Sequence, residues 1–439
     1  MYRFPLVLAL LFALCGTGSA ATYNVNTFDI DAGDTNVALA GCDSNPVVAG
    51  NQCTLRAAIM QANAAPGADV IVLPLDSVIT LDAVGLGDLG DLDISAPVSI
   101  TGILLGAPSD LSRLPRIVGA NGERLFEISS AGVGFSGLQL ESGDAGAGSG
   151  GAMRVNAGST VTVDRVRFTG NRAQSGGAIQ NAGVIQIERS DFVRNRAVEG
   201  GAAIANTGAL TLSASSIRQI RDEPSLGNPD AIRTAPGSVL VVDNSTINGN
   251  DSGIGATDTG GITASNPALL RIRNSTLFDF THYGLLLSVD ASSDALVANT
   301  IFDGADIADC QVNLGAGGSA ANARFGYSVF DGGNCASFDL GSSVSGIETL
   351  LGPLLGSPDE LSFHHAPSFA SAVVDSGQTT VAGPLGADFA CLSTDARGAM
   401  RPLEGNGIGS AQCDRGAIEI STQPVAVFTV NLFATDLPD

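Results

Sequence analysis

Two residue types are scarce or missing in this chain of 439 residues, and each absence excludes a kind of chemistry. There is no lysine, since all 21 basic residues are arginine, so the chain has no amine side chain for a Schiff base or a lysine nucleophile. There is no tryptophan, and aromatic residues make up only 5% of the chain, so flat platforms for sugar rings are scarce. The net charge of −23 argues against nucleic acid as a partner, because its phosphates would be repelled.

The N-terminal residues have the pattern of a secretory signal. Residues 4–14 form an apolar run that is too short to span a bilayer, which takes about twenty residues. Gly18-Ser19-Ala20 supplies the small residues that a signal peptidase needs, so we predict cleavage before Ala21 and a secreted or cell-surface protein without a membrane span. A lipid anchor at Cys15 is the alternative, and Leu14 disfavours it because a small residue is required there.

Six cysteines follow the predicted cleavage site, and an even number in an exported chain favours disulfides. No two of them have the Cys-x-x-Cys spacing of many zinc sites. They fall into three local couples, which we predict as disulfides: Cys42–Cys53, Cys310–Cys335 and Cys391–Cys413.

A 24-residue repeat is visible in the middle of the chain. It pairs Phe168 with Phe192, Asn171 with Asn195, and Gly176-Gly177 with Gly200-Gly201. A looser Asn-Ser-Thr echo follows at 244–246 and 274–276. Repeats of 20–50 residues indicate a solenoid, in which each unit buries its apolar face against its neighbours.

The segments between the echoes identify the type of solenoid. Runs such as 161–163 and 184–187 are short and rich in β-formers, and nothing helical separates them. We therefore predict an all-β fold, a single-stranded right-handed parallel β-helix of about eleven coils. The paired glycines suit corners with positive φ, and Asn171 and Asn195 are expected to stack at one corner with their amides bonded along the axis.

The predicted organisation has five parts. A signal peptide at 1–20 precedes an N-terminal cap at 21–69, whose helix begins after Thr54 and stops at Pro66-Gly67. The β-helix occupies 70–350, a disulfide-tied C-terminal cap 351–420 and a tail 421–439.

Three motifs resemble modules of exported bacterial proteins. Residues 53–58, Cys-Thr-Leu-Arg-Ala-Ala, resemble the Cys-Ser-Leu-Arg-Glu-Ala motif that heads many exported β-helix proteins, with Thr54 and Ala57 as departures. The repeat at 168–204 is similar to that of chlamydial polymorphic outer-membrane proteins. Residues 395–402 and 414–419 resemble the choice-of-anchor Q module. The resemblance implies fold and export, and it implies no particular reaction.

An enzyme of the pectin-lyase-like β-helix type is the alternative function. A hydrolase needs two converging carboxylates, and the chain contains no Asp-Asp pair. A lyase needs a basic residue near neutrality, and lysine is absent. The best candidates are Arg218, Arg221 and Asp222, for which a solvated insertion between coils is the favoured interpretation.

Two clusters are candidates for metal ligands. Asp29, Asp31 and Asp34 alternate as calcium ligands often do, but the bidentate glutamate of an EF-hand is missing, so an Asp/Gly turn is favoured. His364-His365 lacks neighbouring cysteines or carboxylates, so a metal is disfavoured there also. We expect no cofactor, with calcium as the open possibility.

The C-terminal region has a second charged cluster, which we predict to be a structural salt-bridged knot. Its members are Asp395, Arg397, Arg401, Asp414 and Glu419. Together these observations predict a monomeric binding or structural module, adhesin-like, with surface glycans or a neighbouring cell surface as partners and with no catalytic site. A polysaccharide lyase or glycoside hydrolase is the alternative.

Overall fold

A computed structural model describes residues 19–28, 31–38, 41–81, 90–102, 113–119, 122–219, 230–249, 260–356, 363–379, 385–407 and 411–421. The apolar run of the predicted signal, the end of the tail, Asp29, Arg221 and Asp222 lie outside the described residues. In the described part, parallel strands stack coil upon coil in three ladders. The prediction of an all-β parallel β-helix is therefore confirmed.

Each ladder contains at most one strand from each coil. The first contains Thr22–Asn24, Asp69–Val72, Val98–Thr101, Val133–Glu141, Thr160–Thr169, Val184–Glu188, Ala209–Ser213, Val239–Asp243, Leu269–Arg273, Ala295–Ala298 and Ala323–Gly326. The second contains Val78–Leu81, Arg116–Gly119, the C-terminal halves of the strands at 133–141 and 160–169, Asp191–Val193, Ser216–Arg218, Thr246–Asn248, Thr276–Phe280 and Ile301–Ala305. The third contains Leu92–Ile94, Phe126–Ile128, Met153–Val155, Ile179–Asn181, Ile204–Asn206, Asp230–Thr234, Gly260–Ser265, Tyr283–Val289 and Ala308–Leu314.

The remaining elements are short. Arg172–Ala173 pairs with Arg196–Ala197 in parallel, and Leu351–Gly356 pairs with Phe363–Pro367 as an antiparallel hairpin. One α-helix spans Leu55–Ala64, and 3-10 helices span Ala320–Asn322, Cys335–Phe338 and Ala387–Phe389.

Alternation along the strands builds the core. In the strand at 184–188 the second and fourth residues are buried and their neighbours are exposed, as a strand with one buried face requires. Inward residues of successive coils then stack in rows, such as Ile187, Leu212, Val242 and Ile272. The rings of Phe168 and Phe192 stack with centroids 4.4 Å apart, which places the 24-residue repeat on successive coils.

The number of turns is smaller than predicted. The nine strands of the third ladder enclose about eight turns, against about eleven coils expected from a constant period of 24. The period holds between Thr160 and Val184, which are in register, but Ser99 and Gly134 are 35 residues apart and also in register. Insertions at the corners lengthen the coils, so fewer of them fit in the same stretch of chain.

The asparagine stack at one corner has the predicted geometry. Asn195 Oδ1 accepts hydrogen bonds from the backbone N–H of Asn171, at 3.0 Å, and from its side-chain amide, at 2.9 Å. Asn195 Nδ2 donates to the carbonyl of Phe168 at 2.9 Å. A second stack, in which Asn181 Nδ2 donates to Asn206 Oδ1 at 2.8 Å, was not predicted.

The Asn-Ser-Thr echo marks the corner between the first and second ladders. Its first residue has a left-handed backbone, with φ of 47° at Asn244 and 45° at Asn274. The following serines are buried and form a ladder, because the backbone N–H of Ser215 donates to Ser245 Oγ and that of Ser245 donates to Ser275 Oγ. This ladder satisfies backbone donors that the corner would otherwise leave without partners.

The N-terminal helix begins and packs as the sequence predicts. Thr54 Oγ1 accepts the backbone N–H of Ala57 at 3.0 Å and caps the helix. Arg56 forms a buried bidentate pair with Asp31 and donates to the carbonyl of Gly90 at 2.8 Å. The helix is thereby fixed to the first coil of the third ladder.

The stretch at 389–394 of the C-terminal segment lies along the flank of the last coils, and three corner asparagines hold it there. Asn244 Nδ2 donates to the carbonyl of Thr394 at 2.8 Å, and Asn299 Nδ2 donates to that of Phe389 at 2.8 Å. Asn274 Oδ1 accepts the backbone N–H of residue 392 at 3.0 Å. The 3-10 helix at 335–338 packs against the last coils, and its first and last residues belong to the solenoid core.

Three disulfides join the couples predicted from the sequence. They are Cys42–Cys53, Cys310–Cys335 and Cys391–Cys413, with Cα atoms 5.0, 5.7 and 6.5 Å apart. They tie the N-terminal cap, the last coil and the C-terminal segment respectively.

Candidate ligand-binding groove

A row of polar side chains runs outward along the third ladder. Asp93, Glu127, Arg154 and Gln180 are in register on four consecutive coils. Asp93, Glu127 and Arg154 each lie between inward-pointing apolar neighbours, and the neighbours of Gln180 are also buried. The pleat therefore directs these four side chains outward. The row places charges of both signs within a short distance on one open face.

Three carboxylates meet at the N-terminal end of this row. Oxygens of Asp91, Asp93 and Glu127 lie within 4.8 Å of one another. Arg124 Nη1 donates to Asp91 Oδ2 at 2.8 Å and to Glu127 Oε2 at 2.6 Å. Asn156 Nδ2 donates to Glu127 Oε1 at 2.9 Å. The arginine holds two of the carboxylates together and offsets their repulsion.

The environment moves the pKa values of two of these carboxylates in opposite directions. Burial raises the pKa of Asp93, and the neighbouring charges of Asp91 and Glu127 raise it further. The hydrogen bond from Asn156 is the main cause that lowers the pKa of Glu127; burial opposes it, and the charges of Arg124 and Arg154 lower the pKa further. The surroundings therefore shift Asp93 toward its protonated form and Glu127 toward its ionised form.

A concave pocket of about 580 Å³ lies beside the cluster, a size that suits a small ligand or one to two sugar rings. Its lining is Arg124, Gly148, Ser149, Arg154, Val155, Asn156, Ala157, Gln180 and Ala182. Guanidinium and amide groups are donors for hydroxyl and carboxylate oxygens. We name this pocket and the adjoining carboxylates the third-ladder groove.

A guanidinium takes the central place in the carboxylate cluster. Because Arg124 already bonds Asp91 and Glu127, a cation at their midpoint would have to displace it. The segment with the predicted calcium ligands is also engaged internally. Asp31 pairs with Arg56, and the carboxylate of Asp34 accepts backbone N–H groups of residues 36 and 43. Calcium binding at Asp31 and Asp34 stays the less favoured alternative to the predicted Asp/Gly turn.

Arg218, the first of the catalytic candidates, lies outside the third-ladder groove, in a strand of the second ladder. It makes a bidentate ion pair with Asp191, whose side chain is fully buried, at 2.9 and 2.8 Å. Its guanidinium also lies 3.7 Å from the ring centroid of Phe363 in the C-terminal hairpin. These contacts give Arg218 a structural role, since it neutralises a buried carboxylate and joins the hairpin to the coils.

His365 is likewise part of the packing of the hairpin. Asn248 Nδ2 lies 2.8 Å from His365 Nε2, and His365 Nδ1 lies 2.7 Å from the carbonyl oxygen of Gly352. Since the amide donates and the carbonyl accepts, the ring is neutral with its proton on Nδ1. Burial lowers the pKa of His365, which agrees with the neutral form. Both ring nitrogens are engaged, so this side chain has no free position for a metal.

The charged C-terminal residues form the predicted knot. Arg397 pairs with Asp395 at 2.7 Å, and Arg401 pairs with Glu419 at 3.0 Å in a buried setting. Asp414 accepts backbone N–H groups of residues 375 and 420, and burial raises its pKa to about 7. The knot closes the segment on itself beside the disulfide of Cys391 and Cys413.

The sequence pointed to none of the groove residues as a site. Asp91, Glu127 and Arg154 follow one another at unequal intervals, because the coils that carry them differ in length. A search for a constant period therefore misses them. The one local signal was the pair Asp91 and Asp93 around a single strand residue.

Comparison with known proteins adds no relative. No family model, no curated protein and no solved structure matches the chain. Of the three resemblances given above, the structure therefore supports only the β-helix fold that they imply. In the described part of the chain, no helix is long and apolar enough to cross a membrane.

Proposed function

We propose that this chain is a secreted or cell-surface β-helix that binds glycans in the third-ladder groove, in the manner of an adhesin. The observation that carries the proposal is the pocket beside the Asp91–Asp93–Glu127 cluster, in which the exposed Arg154 and the half-buried Gln180 provide donors. Three disulfides support an oxidising destination outside the cytoplasm.

The charges in the groove favour a polyhydroxylated ligand. Carboxylates accept hydrogen bonds from hydroxyl groups, and the guanidinium of Arg154 can donate two bonds to one carboxylate or diol. Arg154 is only loosely paired, since its Nη1 lies 3.8 Å from Glu127 Oε1 and its side chain is 48% exposed. A ligand can therefore engage it without breaking a short ion pair.

Binding is tested with purified protein and a panel of acidic and neutral polysaccharides, with and without calcium. We expect saturable binding that Arg154→Met weakens by about tenfold or more, because a charge-assisted bidentate contact is lost. Arg189→Met is the matched control, since Arg189 is 42% exposed on another corner of the coils. Equal binding by both variants, with unchanged thermal stability, would contradict the groove as the site.

A glycoside hydrolase is the second candidate, and one observation favours it. Asp93 and Glu127 have carboxylate oxygens within 4.8 Å and pKa values shifted in opposite directions, as an acid and a nucleophile require. New reducing ends above a heat-treated control, lost in Glu127→Gln, would establish hydrolysis. Absorbance of an unsaturated product would instead establish a lyase. Saturable binding without product supports the binding module.

A further inference from the structure

A buried carboxylate at the start of the first complete coil has half of its hydrogen-bonding capacity unused. Asp69 begins the strand at 69–72 and is 1% exposed. Its Oδ1 accepts the backbone N–H of Ala21 at 2.7 Å. Its Oδ2 is buried and has no hydrogen-bond partner, and no arginine forms an ion pair with it among the described residues. Burying a carboxylate in this state is costly, because the lost hydration is not replaced.

The one donor to this carboxylate lies next to the predicted processing site. Ala21 is half-buried and immediately precedes the strand at 22–24, which pairs in parallel with the strand at 69–72. Ser19 and Ala20 are exposed. The peptide bond between Ala20 and Ala21 is thus at the surface, while the nitrogen on its C-terminal side points toward Asp69.

We infer that the chain is cut between Ala20 and Ala21, and that the new α-ammonium of Ala21 forms a buried ion pair with Asp69. A peptidase that recognises small residues hydrolyses this bond with one water molecule. The carboxylate stays on Ala20, and the amine on Ala21 takes up a proton. A single amide N–H is replaced by an ammonium group with three N–H donors and a full positive charge, which reaches both oxygens of Asp69.

Cleavage therefore supplies the charged partner that Asp69 lacks in the precursor. Before the cut, the charge of Asp69 is matched by one amide dipole; after it, the carboxylate has a partner of opposite charge in a site shielded from water. Removing one partner of a buried ion pair strongly destabilises the folded protein, because the other charge stays buried without compensation. The N-terminal edge of the solenoid is consequently more stable in the processed chain than in its precursor.

The chain offers an unusually clean assay for this pair. Because it has no lysine, the α-amine is its only primary amine, and an acylating reagent reports on that group alone. The assay compares a protein that begins at Ala21 with one that begins at Ala20. The α-amine of the second protein has the same chemistry but lies one residue away from the position that contacts Asp69. We expect labelling of the native Ala21 form to be slower by about tenfold or more, and Asp69→Asn to restore fast labelling.

A control variant and a second measurement complete the test. Asp76→Asn removes the same charge at an exposed ion pair and should leave the labelling rate unchanged. In urea denaturation, Asp69→Asn should lower the midpoint of the Ala21 form more than that of the Ala20 form. Equal labelling of the two forms, equal midpoint shifts, or a start other than Ala21 in the exported protein would each overturn the inference.

Discussion

Replacement of Asn195 by leucine tests the asparagine stack directly. The side chain of Asn195 makes three hydrogen bonds, two accepted from Asn171 and one donated to the carbonyl of Phe168. Leucine has a similar volume but can make none of them. Two buried backbone groups, the N–H of Asn171 and the carbonyl of Phe168, then lose these side-chain partners.

The expected magnitude follows from that count. A buried backbone group without a partner costs about 1–3 kcal/mol, so we expect the loss of two such partners in Asn195→Leu to lower the free energy of unfolding by about 2–6 kcal/mol. Arg194→Ala is the control, because the neighbouring side chain is exposed, and it should change that energy by less than about 0.5 kcal/mol. Both are measured as midpoints of urea denaturation at constant slope.

The double variant tests whether the side chains of Asn171 and Asn195 interact with each other. Asn171→Leu and Asn195→Leu each remove the same amide–amide contact, so their combined effect should be smaller than the sum of the two. Full additivity would mean that the two side chains do not interact. A shift for Asn195→Leu no larger than that for Arg194→Ala would refute the stack as a source of stability.

Two further predictions concern buried charges. Because the pKa of Asp414 is raised to about 7, the native state binds more protons than the unfolded state between about pH 4 and 7. The free energy of unfolding therefore falls as the pH rises through that window, by as much as about 4 kcal/mol. Asp414→Asn should flatten the dependence of the urea midpoint on pH over this window, and parallel curves would contradict it. Arg218→Met leaves Asp191 buried without its main partner and should cost about 3–5 kcal/mol, whereas Arg113→Met, at an exposed pair, should cost less than about 1 kcal/mol. Equal losses in thermal denaturation of these two variants would show that burial of the pair does not matter.

The sequence determined the fold class because solenoid energetics are local. Each coil packs only against its neighbours, so the same residues are needed at the same place in every coil, and the spacing of Phe168 and Phe192 reports this directly. The disulfides were predictable because each joins cysteines that are close in sequence, 11, 25 and 22 residues apart. Thr54 indicated the helix start because threonine is a favoured N-cap residue, and the structure confirms the cap.

Tertiary structure decided everything that depends on which coils lie side by side. Insertions change the length of individual coils, so neither the number of turns nor the meeting of Asp91, Glu127 and Arg154 follows from a fixed period. The sequence favoured a solvated insertion at Arg218, with catalysis as the alternative, but Arg218 ends a strand and pairs with the buried Asp191 of the preceding coil, which gives it a structural role. Asn244 begins the same Asn-Ser-Thr pattern as Asn274. Its hydrogen bond to Thr394, 150 residues further along, exists only because the chain folds back along the flank of the coils.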